Sequence, residues 1–246
     1  MDTGMLALVG GDEFNPGNEE QDRMLAAAAS RGPAFVVPTA AARQGPERAV
    51  AHATDWFARF DLELQELSVL KRTDANSKEL ADLARRGGFF YLVGGDPGLV
   101  VQVLQGTRVW TAIFHAWRDG ASLAGSSAGA MGLCSHTLIR AGWPDRTNRR
   151  PVDALGVVPN TAVIPHYEKF GPRWMESARR ELPGVTLLGL GERTAVVWTD
   201  GEWVAAGPGA VTVIKSAKVE AFNSGMKVAG LSSPARMLPS RGPTGD

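Results

Sequence analysis

The chain has 246 residues, enough to bury a substantial core without disulfides or a structural metal. Its 26 Lys and Arg residues balance its 26 Asp and Glu residues, and this zero formal charge argues against nucleic acid or an anionic membrane as a partner. The single cysteine, Cys134, excludes an intramolecular disulfide, and neither a signal-peptide pattern nor an apolar run of about 20 residues occurs. We therefore expect a cytoplasmic protein with no membrane partner.

Short apolar runs alternate with amphipathic helical patterns through the first half of the chain. Pro46 is favourable at a first helical position, and Ser77 is a good N-cap. The predicted strands are residues 6–9, 34–38, 62–70, 89–93 and 122–124, and the predicted helices are residues 18–29, 46–60, 77–86, 99–104 and 109–117. This alternation predicts the α/β class: a mostly parallel sheet, joined by right-handed crossovers and covered by helices on both faces.

Beyond residue 185 the pattern changes to short β-like runs separated by Gly or Asp-Gly turns. The predicted strands here are residues 187–190, 195–199, 203–205 and 211–214. We expect them to extend or finish the sheet, so that residues 1–231 form a single domain. Residues 232–246 are rich in Pro, Ser, Gly and Arg, which predicts a flexible tail.

The most informative local motif is Gly125-Ser-Ser-Ala-Gly129, which fits the G-x-S-x-G nucleophile elbow. Such an elbow joins a strand to a helix and needs small residues on either side of the serine. Because glycine is frequent in this chain, the motif gains its meaning from its place between a predicted strand and a helical pattern. Ser127 is the predicted nucleophile; Ser126 would take that role only if the elbow were shifted by one residue.

A serine nucleophile needs a general base, and the chain offers four histidines. His52 and His115 lie in helical patterns typical of packed or surface residues, and His136 lies about one helix length beyond the elbow. His166 follows the apolar run 161–165, at a predicted carboxyl end of a strand, where open α/β sheets bind ligands. His166 is therefore the favoured base.

A carboxylate usually orients such a histidine, and two N–H groups usually bind the oxyanion. Glu192 lies in a tight connection between two predicted strands, with Glu168 and Asp153 as competing candidates. The amide of Ala128 follows the nucleophile directly, and the turn Gly94-Gly95-Asp96 is a candidate for the second donor.

Other chemistries find little support in the sequence. There is no G-x-x-x-x-G-K-[ST] loop, and Gly10-Gly11 does not continue into G-x-G-x-x-G, so nucleotide binding is not indicated. No cluster of His, Cys and carboxylate residues has the spacing of a metal site, and we expect neither a metal nor another cofactor. The candidate order of Ser127, His166 and Glu192 also differs from the serine, acid, histidine order of α/β-hydrolases.

At these positions the chain resembles the dipeptidase E and cyanophycinase family of serine peptidases. The matching segments are Phe90-Tyr-Leu-Val-Gly-Gly-Asp96, Gly125-Ser-Ser-Ala-Gly-Ala130, Pro165-His-Tyr167 and Gly189-Leu-Gly-Glu-Arg-Thr-Ala195, within residues 5–215. The resemblance implies a fold like that of class I glutamine amidotransferases, with serine on the elbow, and cleavage beside an aspartyl residue. It also implies Ser127 as nucleophile, His166 as base, Glu192 as its partner, and Gly95 and Ala128 as oxyanion donors.

The chain departs from its relatives around the substrate. Cyanophycinases carry an arginine-rich stretch after the histidine, whereas here only Lys169 and Arg173 remain as candidates to bind a substrate carboxylate. Asp96 is followed by Pro97, which cannot donate a backbone hydrogen bond, where relatives often carry a polar residue. We count Asp96, Lys169 and Arg173 as candidate substrate-binding residues and expect a specificity pocket that differs from those of both dipeptidase E and cyanophycinase.

These observations predict a serine peptidase of the dipeptidase or exopeptidase type that hydrolyses small peptides through an acyl-enzyme on Ser127. Two alternatives stay open: a non-catalytic small-molecule-binding or interaction protein that keeps the elbow as scaffold, and an esterase or amidase with a non-peptide substrate. A small peptide is the expected partner, and a homodimer is compatible with the sequence.

Overall fold

The computed structural model describes residues 3–140 and 149–238, which form two β-sheets and eight α-helices. The strands are β1 (Leu6–Val9), β2 (Ala34–Val37), β3 (Leu64–Glu66), β4 (Phe89–Leu92), β5 (Ser122–Ser126), β6 (Cys134–Arg140), β7 (Arg149–Asp153), β8 (Val158–Ile164), β9 (Thr186–Leu190), β10 (Ala195–Thr199), β11 (Glu202–Ala206), β12 (Val211–Lys215) and β13 (Lys218–Phe222). The helices are α1 (Glu19–Ala27), α2 (Pro46–Phe57), α3 (Arg72–Ala75), α4 (Lys78–Ala84), α5 (Pro97–Leu104), α6 (Arg108–Arg118), α7 (Ala128–Leu133) and α8 (Tyr167–Glu181). The predicted α/β class is confirmed.

The first sheet has seven strands in the order β11-β10-β1-β5-β4-β2-β3. Strands β1 to β5 pair in parallel, and β10 and β11 add an antiparallel edge beside β1. Leu6 and Leu8 belong to one buried cluster, with side chains from α5 and α6, whereas Ala7 and Val9 belong to another, with side chains from α1 and α2. This alternation follows from the two-residue period of a strand, and it puts helices on both faces of the sheet.

The second sheet has six strands in the order β13-β12-β9-β8-β6-β7. Strand β8 pairs in parallel with β6 and β9, and the outer strands are antiparallel. Helix α8 packs on this sheet, while the short α7 contacts β5 of the first sheet and β6 of the second. The chain segment that follows Ser127 therefore lies where the two sheets meet.

The division into two sheets differs from the single sheet expected from the sequence. Of the C-terminal runs, β10 and β11 extend the first sheet, whereas β9 and β12 belong to the second. The sequence of a buried apolar strand does not indicate which sheet the strand joins, because its pairing partner depends on residues far away in the chain. One buried cluster nevertheless includes residues of both sheets, and the single domain of residues 1–231 stays a prediction.

The predicted bounds agree with the observed elements to within three residues, except in the segment 62–70. The predicted strand 62–70 is extended and paired only over β3, although Thr39 still donates a hydrogen bond to the Val69 carbonyl at 2.7 Å. The predicted tail, 232–246, is described as far as residue 238. Within that part, Ala235 donates to the Val157 carbonyl at 2.8 Å and Arg118 donates to the Arg236 carbonyl. Residues 239–246 of the predicted tail lie outside the described residues.

The functional segments meet at one edge of the first sheet. Because parallel strands end on the same side, the residues after β1, β4 and β5 lie close together. They are Gly10-Gly11, Gly94-Gly95 and Ser127. Among the helices of the described residues, none combines the length and apolar character that a membrane crossing requires.

Candidate active site

Ser127 occupies a sharp turn between β5 and α7. Its φ of 46° and ψ of −108° are unusual for a residue with a side chain, and its N–H is bound by the Val9 carbonyl at 2.9 Å. The turn is possible because glycines lie where the backbone segments approach each other. A Cβ on Gly129 would clash with the Leu92 carbonyl, and a Cβ on Gly125 would lie 2.6 Å from the Gly129 carbonyl carbon. This is the strand–turn–helix geometry of the predicted elbow, and it exposes the Ser127 hydroxyl above the sheet edge.

His166 lies two residues beyond the end of β8 and is the N-cap residue of α8. Its backbone is left-handed, with φ 46° and ψ 47°, and its N–H donates to the Gly10 carbonyl at 2.8 Å. The ring packs against Gly11, where any Cβ would overlap it. Held in this way, His166 Nε2 lies 3.2 Å from Ser127 Oγ, within hydrogen-bond reach of the hydroxyl proton.

Glu192, in the connection between β9 and β10, lies on the other side of the His166 ring. Its Oε1 is 2.7 Å from His166 Nδ1 and 2.5 Å from Lys169 Nζ. The hydrogen bond from Lys169, followed by that from His166, lowers the pKa of the Glu192 carboxyl below its usual value despite partial burial. An ionised Glu192 favours the His166 tautomer with a proton on Nδ1, which leaves Nε2 free to accept.

The structure distinguishes the three candidate carboxylates. Glu168 accepts a hydrogen bond from the backbone N–H of Glu192 at 3.0 Å and so orients the segment that carries it. Asp153 lies on β7, 3.7 Å from His136 Nε2. Of these three carboxylates, only Glu192 is hydrogen-bonded to His166.

The Gly94-Gly95 turn reaches the nucleophile from β4. A Cβ on Gly94 would lie 3.5 Å from the Ser127 Cβ, and Gly95 has a φ of 141° beside the Ala40 carbonyl, which only glycine accepts readily. Neither the Gly95 nor the Ala128 amide donates to another described residue. Both amides therefore have a free N–H close to Ser127.

Glu13, which the sequence gave no reason to single out, joins the turn to the elbow. Its Oε1 accepts from the Gly94 N–H at 2.7 Å, and its Oε2 accepts from the Ser126 hydroxyl at 2.8 Å. Ser126 is fully buried in this contact, whereas Ser127 is accessible, which favours Ser127 as the reactive residue.

Two cavities open on either side of Ser127 and His166. The arginine cavity has a volume of about 400 Å³, and its charged lining residues are Asp96, Arg140, Arg149 and Arg173. The α2 cavity has a volume of about 490 Å³, and its polar side chains besides Ser127 and His166 are Glu13, Gln44, Arg48 and His52. Ser127, His166, Gly95 and Gln44 line both, so a substrate attacked at Ser127 can extend in two directions.

The predicted substrate-binding residues have different positions. Asp96 and Arg173 line the arginine cavity, and Asp96 Oδ1 also caps α5 by accepting from the Gly98 N–H at 2.8 Å. Lys169 lines neither cavity and is paired with Glu192, which raises the pKa of its ammonium group. Its position is that of a partner for Glu192.

Sequence reasoning missed Arg140 and Arg149, which are paired across β6 and β7. Burial, together with the neighbouring Arg140 and Arg173, lowers the pKa of Arg149, which is held over the Trp174 ring at 4.2 Å. Trp174 in turn stacks on Phe170 at 5.0 Å, and the His166 ring meets Phe170 edge-on at 5.7 Å. No sequence motif indicates this cluster of arginine and aromatic side chains. The pairing of β6 with β7 and one face of α8 bring its residues together.

Arg48 and His52 were also missed as site residues. His52 is an exposed residue of α2, in agreement with the prediction of a packed or surface histidine, and it also lines the α2 cavity. The useful signal is their spacing of four residues, which places both on one face of α2. Among residues 3–140 and 149–238, no group of three or more His, Cys, Asp or Glu side chains could hold a metal ion.

The chain is similar to known peptidases. Residues 5–205 match the model of peptidase family S51. A cyanophycinase from Trichormus variabilis is 28% identical over 217 residues, which cover 85% of this chain and 72% of the relative. The crystal structure of a peptidase from an acI-B1 Actinobacterium is 30% identical, covers 92% of this chain and 96% of its own, and superposes with a TM-score of 0.79.

A putative peptidase E from Listeria monocytogenes, 18% identical with a TM-score of 0.63 over 84% of this chain and 99% of its own, shares the fold. These matches confirm the resemblance and the fold class predicted from the motifs around Gly95, Ser127, His166 and Glu192. The match over residues 5–205 covers most of the chain, and the protein therefore belongs to peptidase family S51.

Proposed function

We propose that this serine peptidase hydrolyses small aspartyl peptides through an acyl-enzyme on Ser127. The observation that carries the proposal is the continuous series of contacts from Ser127 Oγ to His166 Nε2 at 3.2 Å and from His166 Nδ1 to Glu192 at 2.7 Å. A serine hydroxyl is a poor nucleophile at neutral pH, and such an oriented imidazole is what activates it.

In the first half-reaction, Ser127 Oγ forms a bond to the substrate carbonyl carbon while His166 Nε2 takes the hydroxyl proton. The carbonyl oxygen becomes an oxyanion, and the free N–H groups of Gly95 and Ala128 are the proposed donors to it. The ionised Glu192 stabilises the imidazolium. His166 then gives its proton to the leaving amine as the C–N bond breaks.

In the second half-reaction, His166 takes a proton from water as the water oxygen attacks the acyl carbon. The oxyanion again uses the Gly95 and Ala128 amides. Collapse of the intermediate breaks the bond to Ser127 Oγ, which recovers its proton from His166, and the free acid leaves.

The arginine cavity supports an aspartyl group on the acyl side. Arg149 and Arg173 can bind a side-chain carboxylate, since guanidinium groups match carboxylates in geometry and charge. Asp96 lines the same cavity and is the candidate partner for the α-ammonium of an N-terminal residue. Lys169, the other residue predicted to bind a substrate carboxylate, is paired with Glu192.

The test is substitution of the nucleophile, combined with active-site labelling. Ser127→Ala should lower kcat for aspartyl dipeptides by at least about 10³-fold while the circular dichroism and melting temperature stay close to wild type. A fluorophosphonate should label the wild type and the control Ser30→Ala, in which an exposed serine is removed, but should not label Ser127→Ala.

Each alternative has its own outcome. Near-normal peptide hydrolysis by Ser127→Ala would exclude the nucleophile assignment. A wild-type protein that resists labelling would be a binding protein on a peptidase scaffold. Labelling with turnover of esters or non-peptide amides alone would identify an esterase or amidase.

We also propose that the enzyme acts in the cytosol. The single cysteine, Cys134, is buried and unpaired, as is common in reducing compartments. Fractionation of the native cells would test this location.

A further inference from the structure

The α2 cavity contains two basic side chains, Arg48 and His52, whose role the acyl-transfer steps do not explain. Arg48 and His52 lie one helical turn apart on α2, and both line the cavity that also contains Ser127 and His166. A substrate bound in the arginine cavity and attacked at Ser127 extends its other end in this direction.

Arg48 is the charged group of the α2 cavity whose hydrogen-bonding atoms are not already engaged. Among the described residues Arg48 forms no ion pair, and its contact with the Gln44 carbonyl is long, at 3.5 Å. Glu13, the acidic residue of this cavity, has both oxygens engaged by Gly94 and Ser126. An incoming carboxylate therefore meets a guanidinium with free donors.

The arginine cavity differs, because it offers a carboxylate oxygen as well as guanidinium groups to a ligand. Arg149 and Arg173 are there with Asp96, of which one oxygen caps α5. An N-terminal aspartyl residue carries an α-ammonium and a carboxylate and so fits this cavity. The leaving amino acid of a dipeptide carries a C-terminal carboxylate and fits the α2 cavity.

We infer that Arg48, with His52 beside it, binds the C-terminal carboxylate of the leaving residue and makes the enzyme selective for dipeptides. This inference rests on the proposed function. In a tripeptide the same carboxylate lies about 3.5 Å further along the chain and loses this position. Binding in the α2 cavity thus depends on the length of the leaving group and favours a single amino acid.

The experiment compares three probes: aspartyl-leucine, aspartyl-leucinamide and aspartyl-leucyl-leucine. The wild type should hydrolyse the free dipeptide with a kcat/KM about 10-fold or more above the other two. Arg48→Met keeps the chain length and removes the charge, and it should lower kcat/KM for the free dipeptide by about 10- to 100-fold, chiefly through KM. It should leave the amide and the tripeptide nearly unchanged.

Two variants complete the design. Arg43→Met removes an exposed arginine that lines neither cavity and should retain the wild-type preference. Arg173→Met should weaken hydrolysis of all three probes alike, because it acts on the acyl side. Circular dichroism checks that each variant is folded.

The outcomes separate this inference from the proposed function. If the wild type cleaves aspartyl peptides but treats the dipeptide and its amide equally, or if Arg48→Met weakens both alike, the carboxylate site is excluded and the peptidase proposal stands. If the wild type cleaves none of the three, the proposed substrate class fails first, and the α2 site fails with it.

Discussion

Glu13 holds two backbone segments that must keep their relative position during catalysis. Its carboxylate bridges the Gly94 N–H and the Ser126 hydroxyl at 2.7 and 2.8 Å. Because the Gly94 N–H is occupied in this way, the following peptide is oriented and the Gly95 N–H is left free. Glu13 is therefore a positioning residue, acting through the backbone that would bind the oxyanion.

Removal of Glu13 should affect the transition state more than substrate binding. We expect Glu13→Ala to lower kcat by about 10- to 100-fold with little change in KM, since misplacing one oxyanion donor has an effect of about this size. Glu13→Gln should retain much of the activity, because its amide can accept from Gly94 and donate to Ser126. Steady-state kinetics of both variants test this; equal losses in the two, or a loss confined to KM, would argue against a positioning role.

At the scale of elements, the elbow depends on how closely α7 approaches β4. Gly129 lies against the Leu92 carbonyl with no room for a Cβ, and the neighbouring Gly125 lies against Gly129 itself. The glycines of the motif thus serve packing, while the serine between them is the residue with a free side chain. This is why one short motif specifies both a fold feature and a nucleophile.

A methyl group at Gly129 should push α7 away from the sheet. We expect Gly129→Ala to lower the free energy of unfolding by about 3 kcal/mol, which corresponds to a fall in Tm of roughly 6–12 °C for a chain of this size. Gly98→Ala is the control and should not lower the Tm in this way. The atom nearest to its added methyl group belongs to the Asp96 side chain, and alanine favours a helix such as α5. Thermal melts that gave both variants the same Tm would contradict the packing account.

At the scale of the whole molecule, one buried carboxyl affects the stability of the fold. Asp22 on α1 has no exposed surface and accepts from Trp56 Nε1 at 2.8 Å, while its Oδ1 has no partner among the described residues. Burial raises the pKa of Asp22 from 3.8 to about 8, and the negative charge of Glu13 adds to the rise. Ionisation of Asp22 therefore opposes folding.

The direction of the pH effect follows from the raised pKa. The contribution of protonated Asp22 to the free energy of unfolding is fully present below its pKa in the unfolded chain, near 3.8. It is lost as the pH rises to its pKa in the folded protein, about 8. Asp22→Asn keeps an acceptor for Trp56 without a titrating group, so it should become more stable relative to wild type across this range. The gain should be on the order of a few kcal/mol. Urea unfolding of both proteins at pH 5 and pH 8 measures it, and a difference independent of pH would contradict the assignment.

Local patterns in the sequence determined the α/β class, the elbow at Ser127 and the histidine at a strand end. Each of these predictions depends on residues that are neighbours in the sequence: the glycines two positions from the serine, and the apolar run before His166. Family motifs then indicated Glu192, Gly95 and Ala128, and the structure places all three close to Ser127 or His166. Gly95 and Ser127 follow neighbouring strands of one parallel sheet, whose ends meet at one edge. His166 follows a strand of the second sheet, so its meeting with Ser127 depends on how the two sheets pack.

Only the tertiary structure decided the remaining features. The hydrogen bond between Glu13 and Ser126 joins residues 113 positions apart in the chain. Such a long-range contact produces no periodic pattern in the sequence from which it could be predicted. The assignment of strands to two sheets, the pairing of Lys169 with Glu192, and the cavity lined by Arg48 depend on the same long-range packing. A short sequence pattern reports which face of its own element is buried, whereas the identity of the neighbour depends on the whole chain.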